Sequence, residues 1–394
     1  MNERNSQETL LRVEQNDDTL KKLSIGSVDG GFDFYRLGIA IATNNYITKL
    51  WVHLDDSLLR GISDAEFYDG LKQNSSISKL LITCNVISRD LNRAGRKILE
   101  AYQENRNLTN ISISNAANLH NGGATQITTT LQCCTNLESI DLFNCNVTPE
   151  QILPMVDAMK GIRSLEQLFL NDNRIGYHDA LGVSIGCEAL ATLLKAPNCN
   201  IHTLELRNNT ITNEGAITIA NSLANNTKLQ KLDLSHNPIA LDSVWGKFSN
   251  ALCNTSSIDD TYSSNHTLQK LSLNYHDIDN SLLRLNKDAN KSHVAIKKIL
   301  KHHPDIDMEP LFGWDKGGEW TLKALPYVVA WFERACAAKA AEVEESRAFL
   351  RALERDRINR RTLSSIYKFA KAMPMLFLPA NHVKTDKKKR KRVN

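Results

Sequence analysis

The sequence predicts an α/β solenoid of about nine strand–helix repeats, with a parallel sheet on the concave side and an α-helical C-terminal cap. Three observations predict it. An apolar pattern, typified by LQKLDLSHNPI at residues 229–239, recurs along the chain. A segment with helical spacing follows that pattern, and from about Pro304 the repeats give way to a helix-rich stretch. Self-similarity at a nearly constant period indicates a repeat architecture.

The repeat has a fixed set of apolar positions. If its first Leu is position 0, apolar residues stand at positions 0, 3, 5 and 10, and Asn or a small residue stands at position 8. Positions 3 and 5 alternate along a short strand, so both are expected to point inward. The pattern fits nine times, starting at Leu20, Ile47, Ile77, Leu108, Leu137, Leu165, Ile201, Leu229 and Leu268.

The side chain at position 8 is expected to hydrogen-bond backbone groups where the chain leaves the strand, because those groups lose their partners in the sheet. A thiol is a weaker donor at this place but packs well. The residues that match the pattern here are Asn85, Cys145, Asn173, Asn209 and Asn237.

The second half of each repeat is predicted to be a helix. In the seventh repeat Ala216, Ile219 and Leu223 fall at helical spacing, and Asn213 is expected to be the N-cap. Stacked strand–helix units then share one continuous core. Two repeats carry extra segments, 176–186 and 254–267, which are predicted to be loops on one rim.

These positions resemble the leucine-rich repeat, whose pattern is LxxLxLxxN/CxL. The period of roughly 28 residues with a helical second half is similar to the ribonuclease-inhibitor-like subclass. The resemblance covers residues 20–303 and implies a curved solenoid with its sheet on the inner side.

The remaining segments flank this array. Residues 1–19 are a polar N-terminal lead-in, 304–379 are predicted to form a helical cap over the exposed end of the core, and 380–394 are a disordered basic tail. The tail resembles a nuclear localisation signal, and its alternative role is nonspecific binding of polyanions. Its basic run is Lys387, Lys388, Lys389, Arg390, Lys391 and Arg392.

The surface predicted to function is the concave face, built from positions 2, 4, 6 and 7. Aromatic residues and arginine dominate interface energetics, and neighbouring carboxylates would form a contact patch. The alternative is a solvated face whose aromatics pack on one another. The candidate partner-binding residues are Trp51, Asp141, Phe143, Phe169, Glu205, Arg207, Asp233, His236 and Tyr275.

The sequence offers little sign of catalysis or of a cofactor. A GxSxG spelling at 182–186 lies in the return segment of a repeat, without the strand–turn–helix context that a hydrolase nucleophile needs. Patterns for a phosphate-binding loop, a dinucleotide fold or an EF-hand are missing. The cysteines form no CxxC pair, so we expect no zinc site and reduced thiols. We therefore predict neither a catalytic residue, a cofactor, a metal nor a small-molecule substrate.

The predicted function is a non-enzymatic interaction module or scaffold that binds a protein partner, in the cytoplasm or the nucleus. An importin-type carrier would bind the basic tail, whereas a membrane or a specific nucleic-acid partner is not expected. Two alternatives follow from the resemblance. One is a Ran-type GTPase-activating protein, although the C-terminus here is basic rather than acidic. The other is a nucleotide-free relative of NLR-type immune regulators, since the chain lacks their phosphate-binding loop.

Overall fold

The computed structural model describes residues 3–303, except for 27–31, 55–64, 85–90, 92, 117–118, 120–121, 177–183, 275 and 279–280. The predicted cap at 304–379, the basic tail at 380–394, Tyr275 and Asn85 therefore lie outside the described residues. The chain divides into two compact units, one formed by 1–252 and 264–287 and the other by 253–263 and 288–394.

The first unit contains one sheet whose strands follow one another in chain order. Nine strands pair in parallel, and each begins two residues after a predicted repeat start. A tenth strand, β10 (His276–Asp277), pairs antiparallel with β9, which the sequence did not predict. The parallel strands are β1 (Lys22–Ile25), β2 (Lys49–Leu54), β3 (Lys79–Cys84), β4 (Asn110–Ser114), β5 (Ser139–Phe143), β6 (Gln167–Phe169), β7 (Thr203–Glu205), β8 (Lys231–Ser235) and β9 (Lys270–Asn274).

Helices alternate with these strands, as predicted. In the first unit they are α1 (Glu3–Glu14), α2 (Phe34–Thr43), α3 (Ala65–Gln73), α4 (Arg93–Asn105), α5 (Gly123–Cys133), α6 (Pro149–Met159), α7 (Ile185–Lys195), α8 (Asn213–Ser222), α9 (Leu241–Leu252) and α11 (Ser281–Leu285). The expected N-cap of α8 is wrong by one residue: Thr212 caps it, and Asn213 is its first residue. The Asn213 side chain instead accepts a hydrogen bond from the backbone N–H of Ala240 at 2.8 Å.

The core lies between the sheet and the helices. Every residue at positions 3 and 5 of the nine repeats is at most 1% exposed, as at Leu232 and Leu234. Position 10 is also buried in the central repeats, where Ile175 and Ile211 are fully enclosed. The polar lead-in contributes too, because Leu10 of α1 is 3% exposed.

Position 8 forms what we call the strand-end ladder, a row made of Cys145, Asn173, Asn209 and Asn237. Asn237 shows the arrangement. Its side-chain N–H groups donate to the carbonyls of Leu206 and Leu234, both at 2.9 Å, and its Oδ1 accepts from the backbone N–H of Asn209 at 2.8 Å. Each amide thus binds its own repeat and the preceding one, which confirms the predicted role of position 8.

A second row, the strand-start ladder, was not predicted and stands three residues before the repeat start. Asn226 accepts from the backbone N–H groups of Lys228 and Leu229 at 3.0 and 2.8 Å, and donates to the Leu194 carbonyl of the preceding repeat at 2.8 Å. Its other members are Asp17, Asn44, Asn74, Asn105, Cys134 and Asn265. At Asp17, hydrogen bonds from Thr19 and Arg12 lower the pKa to about 2.

Helices α2 and α3 approach each other so closely that only glycine fits between them. A Cβ built on Gly70 would lie 2.1 Å from the carbonyl oxygen of Gly38, and a Cβ on Gly38 would lie 2.3 Å from the carbonyl oxygen of Glu66. The clash is with backbone, which no side-chain rotation can relieve. The two glycines therefore set the spacing of the first and second repeats.

The two long repeats differ from the expected pair of loops. Most of 176–186 lies outside the described residues. The segment 254–267 is not simply a loop, because it contains the short helix α10 (Ile258–Tyr262), capped by the Ser257 side chain. Within the second unit, α10 packs on α12 (Lys291–His302), and Thr261 Oγ1 lies 2.7 Å from Nε2 of His303.

Replacing Asn226 with alanine tests the strand-start ladder. It leaves the buried N–H of Leu229, the partly buried N–H of Lys228 and the buried Leu194 carbonyl without their partner. We therefore expect a loss of roughly 1–3 kcal/mol in the free energy of unfolding. The matched control is Asn225→Ala, an exposed neighbour, which should change stability by less than about 0.5 kcal/mol. Urea denaturation measures both. Equal effects of the two substitutions would contradict the ladder.

Alanine at Gly70 tests the close helix contact. The added methyl group must push α2 and α3 apart, at a cost of about 1–3 kcal/mol. Gly246 in α9 is the control, because a Cβ there meets no atom within 4 Å. Gly246→Ala should therefore stabilise the protein by about 0.5–1 kcal/mol through helix propensity. Thermal unfolding followed by circular dichroism would show the two changes in opposite directions; a neutral Gly70→Ala would refute the constraint.

Candidate functional site

The candidate site lies on the open face of the sheet, which we define as the face carrying positions 2, 4 and 6 of each repeat. Positions 3 and 5 are buried against the helices, and the alternating burial along β2 and β8 leaves the even positions partly exposed. This is the face that the sequence predicted to be concave. Its residues form rows across the sheet, because all nine strands pair in the predicted register.

Position 4 carries an acid row, which we define as Asp141, Glu205 and Asp233. The register aligns Asp141 with Phe169, Phe169 with Glu205, and Glu205 with Asp233. The prediction that these carboxylates come together is therefore confirmed, with one phenylalanine inserted between the first two. Neighbouring strands are about 4.8 Å apart, so the row is short enough for one peptide segment to cover.

Asp141 is the most constrained member of the row. Burial raises its pKa, and the charge of Glu205 raises it further. The Ser112 hydroxyl donates to Oδ2 at 2.9 Å, and this bond, with one from the backbone N–H of Phe143, partly offsets the rise. Because the fold disfavours the ionised form, the carboxylate at this position costs stability at neutral pH.

The other two carboxylates have local partners. Glu205 forms an ion pair with Lys231 and accepts a hydrogen bond from the Asn171 side chain at 2.9 Å. Its side chain is 18% exposed, so the pair is partly shielded from water. Asp233 accepts from the backbone N–H of Ser235 at 2.9 Å. Local hydrogen bonds thus hold the three carboxylates, and among the described residues only Glu205 has a basic ion-pair partner.

The predicted aromatics have different surroundings. Phe143 is 40% exposed, which is unusual for so large an apolar side chain, whereas Phe169 is half-buried within the acid row. Trp51 is also half-buried: its indole N–H donates to Thr83 Oγ1 at 3.1 Å, and its ring lies 4.4 Å from that of His53. Trp51 therefore belongs to a separate group at the N-terminal end of the sheet.

Position 7, which the sequence pattern assigned to the concave face, is restricted in its backbone conformation. The φ angles of Asn144, Asp172, Asn208 and His236 lie between 52° and 59°. Asn, Asp and His adopt this left-handed conformation more readily than most residues. His236 is therefore explained in part by local geometry, while its neighbour in the predicted set, Arg207, is exposed on a normal backbone.

A polar cavity of about 640 Å³ lies beside Phe143. Left-handed asparagines supply much of its wall, and Asn208 donates to Asp172 Oδ1 at 2.6 Å across it. The lining is Phe143, Asn144, Asn146, Asp172, Asn173, Arg174, Asn208 and Thr210. Such amides donate and accept equally well, which suits a peptide backbone.

The described residues offer no metal site, since no three of their His, Cys, Asp or Glu side chains could share an ion. Ser184 of the GxSxG spelling is the buried N-cap of α7, and a Cβ on Gly186 would lie 2.2 Å from the Ile175 carbonyl oxygen. That glycine therefore serves packing. Among the helices that the structure describes, none is both long and apolar enough to cross a membrane.

None of the seven described cysteines forms a disulfide, and Cys336 lies outside the described residues. Cys133 is half-buried and Cys134 is buried. Burial raises the pKa of Cys134 to about 12 and that of Cys187 to about 11. These two thiols are therefore protonated at neutral pH and are poor nucleophiles.

Comparison with known proteins agrees with the repeat. A family model described as Leucine Rich repeat matches residues 133–150, 198–220 and 225–243. The chain is 30% identical to mouse NACHT, LRR and PYD domains-containing protein 14 over 207 residues, 51% of this chain and 19% of that protein. It is 31% identical to mouse ribonuclease inhibitor over 103 residues, 26% of this chain and 21% of the inhibitor. The chain thus covers about a fifth of either relative.

One solved structure is similar in part. Leiomodin-1 Actin-Binding Site 2 is 18% identical, and the match covers 39% of this chain and 87% of that one. Its TM-score is 0.30, at which the likeness supports no conclusion about fold or function.

Asp141→Asn tests the electrostatic cost of the charged carboxylate in the acid row. Asparagine keeps the acceptor for Ser112 but carries no charge, so the variant should melt at a higher temperature than wild type at pH 7. Because the pKa of Asp141 is raised in the folded state, the gain should vanish as the pH falls below the ordinary value of 3.8. Exposed Asp18→Asn is the control. Destabilisation by Asp141→Asn at pH 7 would refute the claim that the ionised carboxylate of Asp141 costs stability.

Proposed function

Because this chain is a leucine-rich-repeat protein of the ribonuclease-inhibitor-like kind, we propose that it is a non-enzymatic binding module. In this proposal a partner protein lies across the open face of the sheet, and a basic segment of that partner contacts the acid row. Repeat arrays present broad sheet surfaces whose side chains the core does not dictate, so such a face is suited to binding.

The observation that carries the proposal is the acid row itself. Ser112 precedes the row at position 4 of β4, and Ser272 follows it on β9, each in register with the neighbouring carboxylate. A serine is therefore compatible with this position of the fold. The chain instead carries carboxylates, one of which has a raised pKa and costs stability. Charge kept at such a cost is typical of a binding surface.

Exposed Phe143 and the polar cavity beside it extend the proposed surface. An aromatic ring next to carboxylates contacts both the aliphatic stem and the charged group of a lysine or arginine. The asparagine side chains of the cavity would hydrogen-bond the backbone of the same segment. Arg207 follows Glu205 closely in its repeat, and His236 follows Asp233 closely in the next one. These two side chains would set which basic segments are accepted.

The relatives support the general function without naming a partner. The ribonuclease inhibitor acts, by its name, on a protein, and its matched portion is similar to this chain. The several NACHT-containing relatives favour the NLR-type alternative over a Ran-type GTPase-activating protein as the second candidate function. That candidate predicts a nucleotide-dependent oligomer.

The test compares partner capture by three forms of the full chain. The acid-row variant is Asp141→Asn, Glu205→Gln and Asp233→Asn, which removes the charge but keeps an oxygen acceptor at each position. The control variant removes three exposed carboxylates elsewhere, by Glu8→Gln, Asp18→Asn and Glu100→Gln. Quantitative mass spectrometry should find a protein that wild type and control retain and the acid-row variant loses by about tenfold or more.

The captured protein is then purified and titrated against all three forms by calorimetry. A loss confined to the acid-row variant supports the proposal, and circular dichroism shows that this variant is folded. Identical binding by all three forms would place the working surface elsewhere.

A further inference from the structure

The N-terminal end of the open face carries a second charged row, of opposite sign. We define the lysine row as Lys22, Lys49 and Lys79, at position 2 of β1, β2 and β3. The register pairs Lys22 with Lys49 and Lys49 with Lys79. Lys22 and Lys79 are exposed and Lys49 is half-buried, so three like charges stand side by side on adjacent strands.

This arrangement is unfavourable for the fold. Like charges directly opposite each other on paired strands destabilise a sheet. None of the three ammonium groups forms an ion pair with a residue that the structure describes. Lys231, at the same position on β8, does form one, with Glu205. The fold can therefore supply a counterion at position 2, but none of the described residues supplies one to the lysine row.

An aromatic ring adjoins the lysine row. The Nζ of Lys22 lies 4.0 Å from the centroid of the Trp51 ring, within the range of a cation–π contact. The hydrogen bond to Thr83 and the contact with His53 fix the ring in place. One lysine of the row thus contacts the Trp51 indole ring, while Lys49 and Lys79 have no ion-pair partner among the described residues. This combination matches a chain that carries carboxylates together with apolar stems.

We propose that the lysine row binds an acidic, extended segment of the same partner protein whose basic segment contacts the acid row. The inference rests on the proposed function and specifies the partner's charge pattern. A nucleic acid is disfavoured, because a uniform polyanion that continued along the sheet would meet Asp141, Glu205 and Asp233. A polypeptide can change sign along its length. From β2 to β7 there are five strand spacings, so the two charged segments should be separated by roughly 24 Å.

The probe is a fluorescein-labelled peptide with six glutamates, a sixteen-residue Gly/Ser linker and six lysines. Such a linker spans roughly 20–24 Å on average, which matches the separation of the rows. Fluorescence anisotropy compares it with a peptide in which glycine and serine replace the glutamates, and with a single-stranded oligouridylate. Wild type should bind the two-block peptide at least about tenfold more tightly than the lysine block alone, because the second contact is intramolecular.

The lysine-row variant, Lys22→Gln, Lys49→Gln and Lys79→Gln, should lose that tenfold gain in affinity for the two-block peptide. A control variant loses three exposed lysines elsewhere, by Lys195→Gln, Lys228→Gln and Lys247→Gln, and should keep the gain within about twofold. Both variants retain the basic tail, so its attraction for glutamates cancels in the comparison. The lysine-row variant should also melt at the same or a higher temperature than wild type, since repulsion is removed.

The outcomes separate the two proposals. If the two-block peptide loses affinity for the acid-row variant but not for the variant with the three lysines replaced, the proposed function stands and the lysine-row inference falls. If neither variant changes affinity, both proposals fall. If wild type binds the two peptides equally tightly, only the lysine-row inference falls, because both peptides carry the lysine block that contacts the acid row. If the oligouridylate binds more tightly than the two-block peptide and needs the three lysines, the occupant is a nucleic acid and the inference is overturned.

Discussion

Hydrogen bonding of the backbone at the two ends of each short strand is the constraint on which the described repeats depend. The parallel strands are only three to six residues long, so the turns contain a large share of the backbone. Buried N–H and C=O groups in these turns are costly without partners. The strand-end and strand-start ladders supply them from asparagine amides that reach into the preceding repeat. The same bonds fix how repeats stack, and stacking aligns the acid row and the lysine row.

Much of this architecture could be predicted from the chain, because the repeat pattern records what each position must bury. The strands begin at the expected place in all nine repeats, and positions 3 and 5 are enclosed. The strand-end ladder followed from a known consensus, whereas the strand-start ladder did not, since its members include Asp17 and Cys134 as well as asparagine. Its signal was present as a polar residue three positions before most repeat starts, with Ile162 as an exception.

The alignment of the candidate site residues in rows could be predicted, but the burial and the hydrogen-bond partners of each side chain could not. Register follows from the period, so the alignment of Asp141, Phe169 and Glu205 could be predicted. The ion pair of Glu205 with Lys231 and the burial of Asp141 depend on side chains roughly thirty residues away. The left-handed backbone at His236 comes from turn geometry, which the apolar pattern does not report. Local partners thus decide which charges of a row are available for binding.

The strand-start ladder also limits covalent modification. Asn74 and Asn265 each begin an Asn-Xaa-Ser/Thr sequence, the acceptor motif for N-linked sugars. Both side chains are 1% exposed and hold carbonyls of the preceding repeat, so a glycan on either nitrogen would remove those bonds and would not fit the enclosed space. The hydroxyls of Ser76 and Thr267, the third residues of the two motifs, also donate hydrogen bonds to backbone carbonyls of the preceding repeat. Here an apparent glycosylation signal is a stacking element, and a sugar attached to it would prevent the repeat from stacking on its neighbour as it does in the native structure.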